Sequence, residues 1–245
     1  MGAMSIQIPE GKKVAVVTGA SSGIGAATAR ALAGDGWFVV AVARREEPIT
    51  ELAGEIGGAA VVVDVTDQGS VDALAAQLDR VDLLVNNAGG AKGLEPLVET
   101  KIEDWQWMYD TNVLGTVRMI QALLGKLEAA PDNSGLVVNL GSIAGWRPYE
   151  GGSGYNAAKF GVRALTRVLR LETQNIRVTE IDPGRVATEE FSLVRFGGDA
   201  ERAAAVYDGE VNLVAGDIAE AIRWVASLPP HVNIDTMTCT PRTQK

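Results

Sequence analysis

The chain has 245 residues, 47% of them apolar and 22% charged, which suits a folded domain with a sizeable core. Its net charge of −9 argues against a phosphate-backbone partner, because such affinity rests on clustered Lys and Arg. One cysteine, Cys239, excludes an internal disulfide, and with a single histidine, His231, a Cys/His zinc site is all but excluded too. A Ser-His-Asp hydrolase would depend on His231, which sits in LPPHVNI and reads better as a loop-end residue. Met1–Met4 reads as an expression scar ahead of a native start at Met4. No apolar run reaches the roughly 20 residues of a membrane span, and no basic, apolar signal segment opens the chain, so a cytoplasmic location is expected.

Strand and helix patterns then alternate. KVAVVT (Lys13–Thr18) is a short apolar run suited to a strand buried on both faces. A helix follows over about Ile24–Ala33, ending at Gly34. WFVVAVA (Trp37–Ala43) is the second strand and AAVVVDV (Ala59–Val65) the third, with a helix of about Ile49–Ile56 between them, opened by Pro48. Asp67–Leu78 reads as a helix and DLLVNNA (Asp82–Ala88) as the fourth strand. Thr100 and Glu103 spell a T-x-x-E capping box that opens a long helical stretch to about Leu127. GLVVNLGS (Gly135–Ser142) is the fifth strand, about Gly154–Glu172 a second long helix, and IRVTEID (Ile176–Asp182) the sixth strand. Residues 185–212 form a polar and aromatic insertion with some helix. Asp217 and Glu220 are placed to cap a helix carrying Trp224, and VNIDTMTC (Val232–Cys239) is the last strand. This β-α order predicts an α/β fold: one domain over residues 5–245, with a doubly wound parallel sheet of about seven strands and helices on both faces.

TGASSGIG (Thr18–Gly25) joins the first strand to the first helix, with glycines at 19, 23 and 25. The spacing is G-x3-G-x-G rather than G-x-G-x-x-G. The physics is shared: glycine allows a tight turn and close backbone approach, and the helix N-terminus offers free N–H groups to a pyrophosphate. At the end of the second strand, where an acid would take a ribose 2′-hydroxyl, stands Ala43, followed at once by Arg44 and Arg45. A guanidinium there suits a 2′-phosphate, although an arginine pair at a strand end is otherwise solvated surface. Tyr155 and Lys159 lie four apart, on one helix face, so the phenol and the ammonium can share a site. An ammonium one turn away would favour phenolate and bring a tyrosine toward useful acid/base range.

TGASSGIG, Asp64-Val65, NNAG (Asn86–Gly89), Asn112, Ser142, Tyr155-x-x-x-Lys159 and Pro183-Gly184 together resemble the short-chain dehydrogenase/reductase family, in its compact single-domain branch, over nearly the whole chain. The resemblance implies a Rossmann-type fold and a catalytic set of Asn112, Ser142, Tyr155 and Lys159. Tyr155 would be the general acid/base, Ser142 would hold the substrate oxygen, Lys159 the nicotinamide ribose, and Asn112 would support a water-mediated proton path. It also implies an NADP site built from Gly19, Ser21, Ser22, Gly23, Ile24, Gly25, Arg44, Arg45, Asp64, Val65, Asn87, Ala88, Gly89, Tyr155, Lys159, Pro183, Gly184, Val186 and Thr188. Asp64 would meet the adenine amino group.

LEPLVETKIEDWQWMYDTNVLG (Leu94–Gly115), FSLVRFGGD (Phe191–Asp199) and SLPPHVNIDTMTCTPRTQ (Ser227–Gln244) are similar to the NADP-dependent 3-hydroxy acid dehydrogenase subgroup. That implies serine, allo-threonine and related short 3-hydroxy acids, or the matching semialdehydes, as substrates. A small acid needs a cationic handle, and Arg147, Arg185 and Arg195 are the candidates beside Ser142 and Tyr155. Arg185 either reads a carboxylate or pairs with Glu189 or Glu190. Two alternatives stay open: a carbonyl or 3-oxoacyl reductase of the same family, and a catalytically silent nucleotide-binding regulator. The family further implies a homodimer within a homotetramer, formed by the helices at about 100–127 and 154–172; burial of those helices within the monomer is the alternative.

Overall fold

A computed structural model describes residues 5–244; the Met1–Met4 stretch, expected to be a scar, lies outside the described residues. Seven parallel strands form one sheet: β1 (Val14–Thr18), β2 (Phe38–Ala43), β3 (Ala59–Val62), β4 (Leu83–Asn86), β5 (Leu136–Leu140), β6 (Arg177–Pro183) and, last in the chain, β9 (Thr236–Cys239). Their order across the sheet is β3-β2-β1-β4-β5-β6-β9. A separate two-residue pair, β7 (Val186–Ala187) with β8 (Leu213–Val214), lies in the insertion.

The apolar runs become strands because every residue of β1 and β2 is buried, with alternate side chains feeding two cores. Val14, Val16, Val40 and Val42 pack with α3 (Gln68–Ala76), α5 (Gly115–Glu128) and α6 (Ser153–Glu172) through Leu74, Leu123 and Leu169. Ala15, Val17, Val39 and Ala41 face α1 (Gly23–Gly34), α2 (Glu46–Ile56) and α9 (Ala215–Ser227) through Leu32, Leu52 and Ile222. β1 pairs with β2 on one side and β4 on the other, so the winding direction reverses there. Open α/β sheets bind ligands in the crevice outside the strand ends at such a switch point.

Some local expectations are corrected. The third strand stops at Val62, and the last one starts at Thr236 rather than Val232. The T-x-x-E box does not form: the Thr100 hydroxyl donates to the Leu97 carbonyl (2.8 Å) and accepts from the Trp105 indole (2.9 Å), while Lys101 takes the cap position of α4 (Ile102–Tyr109). The long helix to Leu127 is not continuous α-helix. A π-helical stretch, Asp110–Leu114, separates α4 from α5. Asp217 does cap α9, accepting the Val214 N–H at 2.8 Å, but Glu220 pairs with Arg223 instead. The insertion carries α7 (Glu189–Arg195) and α8 (Ala200–Ala205). Among the described residues no helix is long and apolar enough to cross a membrane.

Candidate active site

The loop from β1 to α1 builds a phosphate-sized cradle. Gly19 and Gly23 have φ of +66° and +52°, a region that L side chains avoid. A Cβ at Gly25 would overlap the Gly19 carbonyl, so that position must be glycine for the loop to fold back on α1. Gly25→Ala is expected to cost about 1–3 kcal/mol of stability, read by thermal denaturation, because the obstacle is backbone that cannot step aside. Ser22 caps α1 in extended geometry with no side-chain bond to the helix, so the first N–H groups of α1 stay open to the cleft.

The end of β1 is locked to the end of β4. The Thr18 hydroxyl accepts the Asn87 and Ala88 N–H groups (both 3.0 Å) and donates to the Val85 carbonyl. The Asn87 side-chain amide donates to the Thr18 and Gly19 carbonyls at 2.9 and 3.3 Å. At the end of β2, Arg44 lies exposed on the cleft rim and makes no ion pair among the described residues. Arg45 donates to the Ser21 hydroxyl (2.8 Å) and to Glu190 (2.6 Å), and the Ser22 hydroxyl donates to the same carboxylate. Burial pushes the Asp64 carboxyl up, but two hydrogen bonds from Thr66 and the charges of Arg44 and Arg118 outweigh it and hold it below its usual range.

Ser142 ends β5. Its N–H donates to Asp182 (3.1 Å) and its hydroxyl accepts the Ala144 N–H (3.1 Å). Across from it, α6 presents Tyr155, whose ring meets Phe191 edge-on with centroids 5.6 Å apart, and Lys159, whose ammonium donates to the Leu140 carbonyl at 2.8 Å. The Lys159 nitrogen lies 5.7 Å from the Tyr155 ring centre. The expectation that Lys159 draws the phenol toward phenolate is not met. Burial pushes Tyr155 above its ordinary range, helped by Tyr149, against the opposing pull of Ser142 and Arg195. Lys159 is itself pushed down to about 8 by burial, against the charges of Asp182 and Glu180. Both shifts favour the uncharged form of the group concerned.

These groups open into one cleft of about 1270 Å³, larger than an ordinary small-molecule site and roomy enough for a dinucleotide with a small second ligand. Of the residues singled out from the sequence, all but three line it. Gly25 lies behind the loop. Asn112 sits in the π-helical stretch behind the wall, donating to the Gly90 and Met108 carbonyls at 2.9 and 2.7 Å, where it fixes the loop after β4. Arg147 is exposed outside the cleft.

Arg185 does line the cleft, but its guanidinium is taken by Asn212 (2.7 Å) and Glu210 (2.8 Å). Pairing with Glu190 is therefore corrected: Glu190 belongs to Arg45 and Ser22, and the Glu189 side chain lies outside the described residues. Arg195 is the cation brought to Tyr155. Its guanidinium carbon lies 5.4 Å from the Tyr149 ring centre and 5.8 Å from those of Tyr155 and Phe191. It donates to the Tyr149 hydroxyl and makes no ion pair among the described residues. Sequence reading missed Trp107, Tyr149, Glu190, Phe191 and Tyr207 on the cleft wall. The aromatic content of the insertion hinted at Phe191 and Tyr207 alone.

The model of the family described as short chain dehydrogenase matches residues 13–195. An uncharacterised oxidoreductase of Mycobacterium tuberculosis (strain H37Rv) is 58% identical over 95% of this chain and 92% of its own length. An NADP-dependent 3-hydroxy acid dehydrogenase of Escherichia coli (strain K12) is 41% identical over 94% of this chain and 96% of its own. Among solved structures, the closed form of a serine dehydrogenase complexed with NADP+ superposes with a TM-score of 0.91 at 40% identity, covering 95% and 96% of the two chains. A glycine cradle at the switch point, a serine at the end of β5 and a Tyr-x-x-x-Lys pair on α6 stand together in a chain so similar to these proteins, and the protein belongs to the short-chain dehydrogenase family.

Proposed function

We propose that this chain is an NADP-dependent dehydrogenase acting on a small 3-hydroxy acid or its semialdehyde, with Tyr155 as the proton-transferring group. The observation that carries the reading is Arg195, a cation with no carboxylate partner among the described residues, held against the Tyr155 ring. In a 3-hydroxy acid one carbon separates the hydroxyl-bearing carbon from the carboxylate. A guanidinium beside the acid/base group therefore suits that spacing. The carboxylate replaces water around Arg195 and is gripped by paired N–H groups.

NADP supplies the hydride acceptor at the carbon that bears the hydroxyl. The residues present fit it. The α1 N-terminus and the glycine turn suit a pyrophosphate, and Arg44 with Arg45 suits a 2′-phosphate where no acid stands to prefer a free hydroxyl. The NADP dependence of the E. coli relative and the NADP+ in the serine dehydrogenase structure support the same choice. On the substrate side, Ser142 Oγ holds the reacting oxygen and Tyr155 Oη accepts its proton in oxidation or returns it in reduction. Lys159, beneath the phenol, keeps a positive charge near the forming phenolate and reaches the nicotinamide ribose.

Phe160, Val168 and Leu171 on α6, and Tyr109 and Leu114 just before α5, are large apolar side chains left exposed, which supports assembly as a homodimer within a homotetramer. The test of activity is reduction of NADP, beside NAD, with L-serine, allo-threonine and 3-hydroxypropionate at alkaline pH. Turnover with at least one acid, at least ten-fold faster with NADP, is the expected result. Silence on all three while NADP still binds would overturn the hydroxy-acid assignment and leave the nucleotide site standing.

A further inference from the structure

Behind the catalytic face lie two carboxyl groups that the chemistry above does not use. Glu180 and Asp182 are two apart on β6, so they point to the same side of the sheet, toward α6, and both are fully buried. They press against Gly141, the residue between the Lys159 acceptor Leu140 and the reacting Ser142. A Cβ at Gly141 would overlap the Asp182 carboxylate and crowd that of Glu180. Asp182 is well supplied: it accepts the Ser142 N–H and an Arg163 guanidinium N–H, each at 3.1 Å. Glu180 receives no hydrogen bond at either oxygen among the described residues.

A buried carboxyl with no donor and a carboxylate beside it keeps its proton. Burial, and then the charge of Asp182, push Glu180 up to about 7. The charged groups around the pair come from α6: Lys159, Arg163 and Arg167, with the Tyr155 phenol one turn earlier. β5 offers the neutral Asn139 on that side, and β9 carries the Cys239 thiol, which burial and then the charges of Asp217 and Asp182 push up.

We propose that the Glu180–Asp182 pair is a positioning group for Lys159, a buried counter-charge that grows from one to two negative charges as pH rises and so offsets part of the burial that would otherwise strip the lysine of its proton. This rests on the reading of Lys159 as part of the active site. The sign follows from the charges. Below the Glu180 transition the pair shares one proton and carries a single negative charge. Above it the second charge appears, favours the ammonium and raises the pH at which Lys159 loses its proton. In Glu180→Gln the second charge cannot form, so Lys159 deprotonates at a pH lower by about one unit. In Glu180→Asp the carboxyl remains and the midpoint returns toward the wild-type value.

The test is an NMR titration of the full chain carrying ε-15N-lysine, with the Lys159 signal identified by its loss in Lys159→Met. A downward shift in Glu180→Gln with recovery in Glu180→Asp is the expected result, and coincident wild-type and Glu180→Gln midpoints would overturn the proposal. If Glu180→Gln does not fold, infrared spectra of wild-type protein carrying 13C-glutamate decide. A protonated carboxyl band lost as pH rises through about 7 supports the pair, and its absence refutes it. Turnover of Tyr155→Phe is measured alongside. Retained turnover would overturn the acid/base reading alone, because the lysine titration needs no substrate.

Discussion

Replacing Tyr155 with phenylalanine is expected to lower turnover by about 10²- to 10⁴-fold, the usual worth of a positioned acid/base group. The change removes one oxygen and leaves the ring packed edge-on against Phe191 and beneath Arg195. The fold and the glycine cradle are therefore preserved, and NADP affinity measured by calorimetry should change by less than about ten-fold. Without the phenol, an alkoxide held by Ser142 has no donor within reach. Lys159 already donates to the Leu140 carbonyl. Stopped-flow measurement of NADPH oxidation in the reductive direction is the cleanest assay, because burial already holds Tyr155 in the acid form that this direction needs. Turnover within a factor of a few of wild type would move the proton-transfer role to another group.

The second large effect is expected at Arg195. Arg195→Met keeps an unbranched chain over the Tyr149, Tyr155 and Phe191 rings and removes the charge. Loss of a charge-assisted hydrogen bond in a desolvated site should lower kcat/KM for hydroxy acids by about 10- to 100-fold, mostly through KM. An uncharged alcohol of similar size, 2-butanol, should lose far less. Arg195→Lys should recover part of the loss, because it restores the charge without the paired N–H fork. Arg195 also donates to the Gly93 carbonyl at 3.2 Å, and its own carbonyl accepts the Gly93 N–H at 2.9 Å. The backbone half of this clasp survives any side-chain change, so the comparison of acid with neutral alcohol isolates the charge. Equal losses on both would show that Arg195 shapes the cleft instead of reading a carboxylate.

Much of this architecture was legible in the sequence because it is written in local signals. The central strands are short apolar runs, and each is buried on both faces. The cradle is legible because only glycine can stand at Gly19 and Gly25. What escaped notice lies outside the pattern of any single element. Thr100 and Glu103 have the spacing of a cap, yet the Trp105 indole claims the threonine hydroxyl. The π-helical stretch at Asp110–Leu114 is a single wide turn, too short to stand out in the apolar pattern of the helix around it. Arg185 finds Glu210 and Asn212, 25 and 27 residues away, and Arg45 finds Glu190, 145 residues away. No pattern along a single element announces such a partner. The buried acid pair on β6 was likewise hidden, because in IRVTEID the two carboxylates look like the wet face of an edge strand.

The position of β4 beside β1 has a consequence for how the protein comes off the ribosome. β1 and β2 are made early, but the crevice has no second wall until β4 emerges, some 65 residues after β1, and pairs on its other side. Such long-range parallel pairings form slowly compared with local helices. From that point the nascent chain holds the glycine cradle and the Asn87 lock. Tyr155 and Lys159 leave the tunnel later, and Arg195 later still. The order of synthesis therefore completes the glycine cradle and its Asn87 lock before the wall that carries Tyr155 and Lys159, and Arg195 arrives last.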